Sequence, residues 1–154
     1  MVADEMASFR STTSHIGLCI RDLKRSRRFY VEGLGFTEFA RFELDRPIAE
    51  VDPPCSLTSF FVQKDGLRVE LLEFRSPSVF GTPSTRRNQL GLTHLSFVVD
   101  DVDTAAAELE RYGGRIVEGT RSGQDDPASV QIIFLEDPDG TRIELMRLAA
   151  GQEW

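Results

Sequence analysis

Four side chains in this sequence are of the type and spacing to share one metal ion: His15, Glu70, His94 and Glu144. His15 and His94 are the chain's only histidines and lie 79 residues apart. Each opens one of two matching stretches, SHIGLCIRDL from Ser14 and THLSFVVDDV from Thr93. Glu70 and Glu144 lie 74 residues apart in a second matching pair, GLRVELLEF from Gly66 and GTRIELMRL from Gly140. Two imidazoles and two carboxylates suit Zn²⁺, Ni²⁺, Fe²⁺, Co²⁺ or Mn²⁺. Four protein donors on an octahedral ion leave two adjacent positions for two oxygens of one substrate. There an ion can polarise a carbonyl and stabilise an enediolate. One histidine alone reads more simply as a hydrogen-bonded core residue; four matched positions in a repeat favour a shared site.

Strand alternation is what must place these four together. In HIGLCI, His15, Gly17 and Cys19 oppose Ile16, Leu18 and Ile20. In RVELL, Arg68, Glu70 and Leu72 oppose Val69 and Leu71. In the second half, His94, Ser96 and Val98 oppose Leu95, Phe97 and Val99, and Arg142, Glu144 and Met146 oppose Ile143 and Leu145. Each half therefore turns one His and one Glu away from its most apolar stripe.

The repeat also sets the fold class. In the first half the pattern predicts a strand over His15–Arg21 and a helix from Leu23 to about Gly33, capped by Asp22 and stopped by Gly33 and Gly35. A strand from Phe36 to about Leu44 follows, then a proline-rich loop, Asp45–Cys55. A hairpin of Ser56–Gln63 and Leu67–Phe74 turns across Lys64-Asp65-Gly66, the Asp-Gly step supplying positive φ angles. The second half predicts a strand over Leu92–Val99, a helix over Val102–Tyr112, a strand over Arg115–Glu118 and a hairpin of Val130–Leu135 and Thr141–Leu148. The order is βαβββ twice, an α+β fold. A single domain is expected over residues 14–148: module 1 at 14–74, a linker at 75–91, module 2 at 92–148. Residues 1–13 and 149–154 are expected to be flexible termini. Halves of about 75 residues are marginal alone, so they are expected to share one curved, U-shaped mixed sheet system with helices outside.

Charge and composition narrow the function. The net charge of −7 speaks against nucleic-acid and anionic-membrane partners. No apolar run reaches membrane-spanning length, and MVADEMASFRS has neither the basic flank nor the apolar core of an export signal. Cys19 and Cys55 form no spacing motif, so reduced thiols and a cytoplasmic location are expected.

With these residues in view, the chain resembles the vicinal oxygen chelate superfamily, which contains glyoxalase I, methylmalonyl-CoA epimerase, extradiol dioxygenases and the bleomycin- and fosfomycin-resistance proteins. The resemblance is carried by HIGLCIRDLKRSRRFYVEGLGF, GLRVELLEF, GLTHLSFVVDDVD and FLEDPDGTRIELM, which together span Ser14 to Leu148. It implies tandem βαβββ modules around a divalent metal, with His15, Glu70, His94 and Glu144 on the ligand positions, and a homodimer. The two-His, two-Glu set is similar to that of glyoxalase I, where a ligand glutamate moves the proton. Methylmalonyl-CoA epimerases commonly carry Gln where Glu70 stands, extradiol Fe²⁺ dioxygenases use two His and one Glu, and sequestering members generally lack the metal set. Where glyoxalase I has ELTxNxG, this chain reads VELLEFRSPS.

The resemblance thus implies a metal-dependent lyase or isomerase acting on a small molecule, a thiol conjugate or an acyl-CoA among the options. The expected base is Glu144, with Glu70 second. The alternatives are an epimerase, a dioxygenase and a sequestering protein of the antibiotic-resistance type. Arg68 and Arg142, two residues before the glutamates, are candidates for a substrate carboxylate or for supporting the glutamates. Arg86 and Arg87 could meet an anionic tail, although solvated linker charge is the simpler reading. The basic run Arg21, Lys24, Arg25, Arg27 and Arg28 reads as an exposed helix face. Cys19 reads as a small packing residue, and the loops Asp45–Cys55 and Gly119–Ser129 as lids or as plain connections.

Overall fold

The computed structural model describes residues 10–126 and 128–153. The flexible termini expected from the sequence fall outside the described residues at 1–9 and 154. β1 (Ile16–Ile20) leads into α1 (Leu23–Arg27), which continues as a π-helical stretch, Arg28–Gly33. β2 (Thr37–Asp45), β3 (Ser56–Lys64) and β4 (Leu67–Ser76) follow. The second half supplies β5 (Leu95–Val98), α2 (Val102–Arg111), β6 (Arg115–Ile116), β7 (Gln131–Glu136) and β8 (Arg142–Arg147). This is an α+β fold with βαβββ order in each half. Among the described residues, the eight strands divide into two four-stranded mixed sheets, β1-β4-β3-β2 and β5-β8-β7-β6, rather than running as one ladder within the chain. β1 runs parallel to β4 and β5 parallel to β8; the other pairings are antiparallel.

Local chemistry fixes the elements. Asp22 and Asp101 cap the two helices, accepting from the backbone N–H of Arg25 and Thr104. The β3–β4 turn places Asp65 at φ 48° and Gly66 at φ 83°, the left-handed pair that a two-residue hairpin requires. Val69 and Leu71 on β4, Phe60 and Val62 on β3, and Leu18 and Ile20 on β1 face Phe29 and Tyr30. The counterparts in the second half are Leu95, Ile133, Leu135, Ile143 and Leu145, facing Val102, Ala106 and Leu109, and all of them belong to one continuous core. Burying each such side chain is worth about 1.5–3 kcal/mol. A one-residue slip of any central strand would turn its apolar face outward, which is why the register is firm.

The modules meet through their helices. A Cβ on Gly114 would fall 2.9 Å from the Phe29 ring, so only glycine permits the approach there. Tyr30 donates to Asp137 Oδ2 at 2.9 Å, and Asp137 Oδ1 accepts from the N–H of Asp139 and Thr141, tying the DPDG turn to the first half. Burial pushes the Asp137 carboxyl up, against the pull of these donors. The basic run is more than a solvated face. Arg25 donates to Pro138 O (2.8 Å), Arg28 to Arg111 O (2.7 Å) and Arg21 to Gly81 O (2.6 Å), while Arg27 pairs with Glu32 and Glu38.

Several expected boundaries move. His15 and His94 stand just ahead of β1 and β5 rather than inside them, β6 holds only two residues, and β4 runs on to Ser76. No helix among the described residues is long and apolar enough to cross a membrane.

Candidate metal centre

β1 and β4 build the first half of the site. Gly17 is the parallel-ladder partner of Glu70, so His15, two residues earlier on the same face, sits beside that carboxylate. His15 Nε2 lies 3.1 Å from Glu70 Oε2. The other ring nitrogen, Nδ1, is hydrogen-bonded with Ser14 Oγ at 2.9 Å. Phe61, the β3 partner of Glu70, meets the imidazole edge-on at 5.1 Å. Ser59 Oγ donates to Glu70 Oε1 at 2.5 Å.

β5 and β8 repeat the arrangement. His94 Nε2 lies 3.6 Å from Glu144 Oε2, and His94 Nδ1 is hydrogen-bonded with Thr93 Oγ1 at 2.9 Å. Phe134, the β7 partner of Glu144, meets the His94 ring edge-on at 5.4 Å. Here the serine comes from β5: Ser96 Oγ donates to Glu144 Oε2 at 2.6 Å. In both halves the carboxylate is the sunken member and the imidazole the accessible one, with side chains 17% against 34% exposed in the first half and 9% against 29% in the second.

The chain thus brings the four predicted residues together as two pairs, not as one group of four. Among the described residues, no three His, Cys, Asp or Glu side chains gather around one point. Arg68 and Arg142 do not reach the glutamates: Arg68 lies over the Phe39 ring at 4.2 Å, and Arg142 donates to Thr85 O in the linker. Arg87 lies over Phe134 at 4.9 Å. Cys19 shares the His15 side of β1 as a free thiol, which burial and then the Asp139 charge push up, so it is not activated as a nucleophile. Beside Glu70 a groove of about 540 Å³ opens between β2, β3 and β4, with Phe42, Leu44, Arg46 and Phe61 on its walls.

Sequence reasoning missed Ser14, Thr93, Phe61, Phe134, Ser59 and Ser96. Ser14 and Thr93 were findable, since each precedes its histidine at the repeat offset. Phe61 and Phe134 were findable from hairpin register. Ser59 had no such signal, because Ile132 stands at its place in the other half.

The model of the Glyoxalase/Bleomycin resistance protein/Dioxygenase superfamily matches residues 12–145. The chain belongs to that superfamily. Among relatives of the glyoxalase superfamily chain, a protein named catechol-2,3-dioxygenase from Bacillus subtilis is 32% identical over 143 residues, 91% of this chain and 43% of that protein. The chain therefore spans less than half the length of that relative. A lactoylglutathione lyase from Neisseria meningitidis is 34% identical over 71 residues, 45% of this chain and 50% of that protein. The crystal structure of a glyoxalase family protein from Bacillus cereus superposes with a TM-score of 0.76 at 18% identity, covering 92% of this chain and 97% of the other. That likeness speaks for the fold.

Proposed function

We propose that this superfamily member is a metal-dependent lyase or isomerase of the glyoxalase I kind, moving a proton next to a carbonyl. The observation that carries the reading is the duplicated pair: in each half an imidazole Nε2 and a carboxylate oxygen converge on one face. The donor set fits a divalent cation. Each histidine has its Nδ1 engaged by a neighbouring hydroxyl, leaving Nε2 for a metal, and each glutamate has one serine donor steadying it. His15, Glu70, His94 and Glu144 would hold the ion, with Zn²⁺, Ni²⁺, Fe²⁺, Co²⁺ and Mn²⁺ all compatible.

The two pairs would meet across a homodimer. β1 and β5 are the outer strands of their sheets, each paired on one side only, and the histidines stand at their heads. A twofold partner that sets β1 of one copy beside β5 of the other supplies the missing pair to each site.

When bound, the cation supplies Lewis-acid polarisation of the substrate carbonyl. The protein does the rest. Glu144 takes the proton from the adjacent carbon and returns it to the neighbouring carbon or to the opposite face. It is the more enclosed of the two glutamates, which favours it over Glu70 as the base. Ser96 keeps the carboxylate aimed while the proton moves.

A dioxygenase is the second reading, favoured by the similarity to the B. subtilis protein. Glu70 speaks against it, since it makes a fourth donor where the dioxygenase set has three.

Two measurements test the proposal. Mixing His15→Ala and His94→Ala chains is expected to restore metal binding at one site per mixed dimer; no restoration would place each site within one chain or remove it. Deuterium uptake at the carbon next to the carbonyl, without oxygen consumption, is expected with α-keto hemithioacetals. Oxygen consumption with catechols under Fe²⁺ would install the second reading instead.

A further inference from the structure

The linker between β4 and β5 lies against the Glu144 face of the second sheet and is held there at several points. Arg21 donates to Gly81 O, the Pro83 ring lies 3.6 Å from where a Cβ on Gly140 would fall, and Arg142 donates to Thr85 O. This seating puts the Arg87 guanidinium over the Phe134 ring, the ring that His94 meets edge-on. Arg87 and a metal-binding histidine are therefore held against one aromatic side chain. Among the described residues, the Arg87 guanidinium has neither a hydrogen-bond acceptor nor an ion-pair partner. Its planar fork is oriented by the ring, yet its donors remain free.

The surroundings give that free cation a purpose. The chain carries a net charge of −7 and places two carboxylates in the proposed site. The divalent ion would offset those two carboxylates, but a substrate carboxylate reaching past the ion still meets an acidic chain and needs a second cation to receive it. Of the other arginines on this face, Arg142 is occupied by the Thr85 carbonyl and Arg115 is paired with Glu136.

We infer that Arg87 is the anion anchor of the site, selecting substrates that carry a carboxylate a few bonds from the paired oxygens offered to the metal. This rests on the metal-dependent reading above and narrows its substrate class. Arg87 acts in specificity; it is not assigned to proton transfer.

The test uses the intact protein loaded with Zn²⁺ and two chelating probes, acetohydroxamate and N-hydroxysuccinamate. They share the hydroxamate and differ in a terminal carboxylate. Calorimetric titration of the unaltered protein is expected to show the carboxylated probe binding about tenfold more tightly, the size of one charge-assisted contact. Arg87→Gln, at an exposed position, is expected to erase that preference and leave acetohydroxamate affinity unchanged. Arg87→Lys should retain part of it, because charge survives but the planar fork does not. A preference that survives Arg87→Gln, an absent preference in the unaltered protein, or equal weakening of both probes by Arg87→Gln overturns the assignment. If Zn²⁺ or both probes fail to bind the unaltered protein, the metal reading itself has failed, and the anchor falls with it.

Discussion

The two halves of the molecule carry the same His–Glu pair in different settings. In the first half, β2 is nine residues long, and the groove beside Glu70 is walled by Phe42 and Phe61, whose rings meet edge-on at 6.0 Å. In the second, β6 has only two residues, and the linker with Arg87 lies over the sheet instead. The serine on the glutamate also changes strand, from Ser59 on β3 to Ser96 on β5. The two halves share the His–Glu pair and differ in the walls around it. The first half offers a groove lined by Phe42, Phe61 and Arg46, and the second a guanidinium seated on a ring, so a two-chain site would read the two ends of a substrate with different halves.

The strongest way to break that comparison is at the glutamates. Glu144→Gln is expected to lower turnover by about 10²- to 10⁴-fold, the usual size of a lost general base. Glu70→Gln is expected to lower it less, with its main effect on metal retention. Deuterium exchange and metal content, measured on the same samples, separate the two. Full turnover in Glu144→Gln with metal bound would remove the base assignment.

The serines give a finer test. Ser59→Ala is expected to weaken metal binding by about 10- to 100-fold, as loss of a ligand-orienting partner does. Gly17 occupies in the first half the place of Ser96 in the second. A Cβ at Gly17 would lie 3.8 Å from Glu70 Oε2, with no closer neighbour. Gly17→Ser in the Ser59→Ala background should therefore recover affinity by giving Glu70 the second half's serine. If it does not, the two serines have unlike roles and the equivalence of the halves stops at the donors.

The seam between the halves predicts a smaller effect. Tyr30→Phe removes a donor from the buried Asp137 carboxylate and is expected to cost about 1–3 kcal/mol in chemical unfolding. Neither His–Glu pair touches this contact, so metal affinity should stay as it is. A matching loss of affinity would show that the seam tensions the sites.

How much of this was legible beforehand differs by residue. Periodicity and the repeat disclosed both modules, both capped helices and the shared face of each His and Glu, because alternation is a local property. The sequence did not show that the donors would form two pairs. Whether sheets join within a chain or between chains depends on how Phe29, Gly114 and the helices dock, and these are contacts between distant segments. The ties made by Arg21, Arg25 and Arg28 were hidden for the same reason: their acceptors are backbone carbonyls far along the chain, which carry no residue signature. Arg87 could be seen only as linker charge until the linker's path across Phe134 was known.

The smallest predicted effect sharpens the contrast between β2 and β6. Glu43 stands on the length of β2 that β6 lacks. Hydrogen bonds from Arg41 and Arg75, with a third from Thr58, hold its carboxyl down at about 2. A carboxyl depressed in the folded state contributes its stabilisation above its unfolded value, and loses it as pH falls through the folded one. The contribution should therefore be present at neutral pH and fade between about 4.5 and about 2. Glu43 is exposed, so solvent screening keeps it small. Urea unfolding of the unaltered protein and of Glu43→Gln should give midpoints that differ at pH 6 and converge towards pH 2.5. A gap that is independent of pH would mean that the Arg41–Glu43–Arg75 cluster does not brace the first half's groove electrostatically, and its extra wall would then stand on the packing of Phe42 and Leu44 alone.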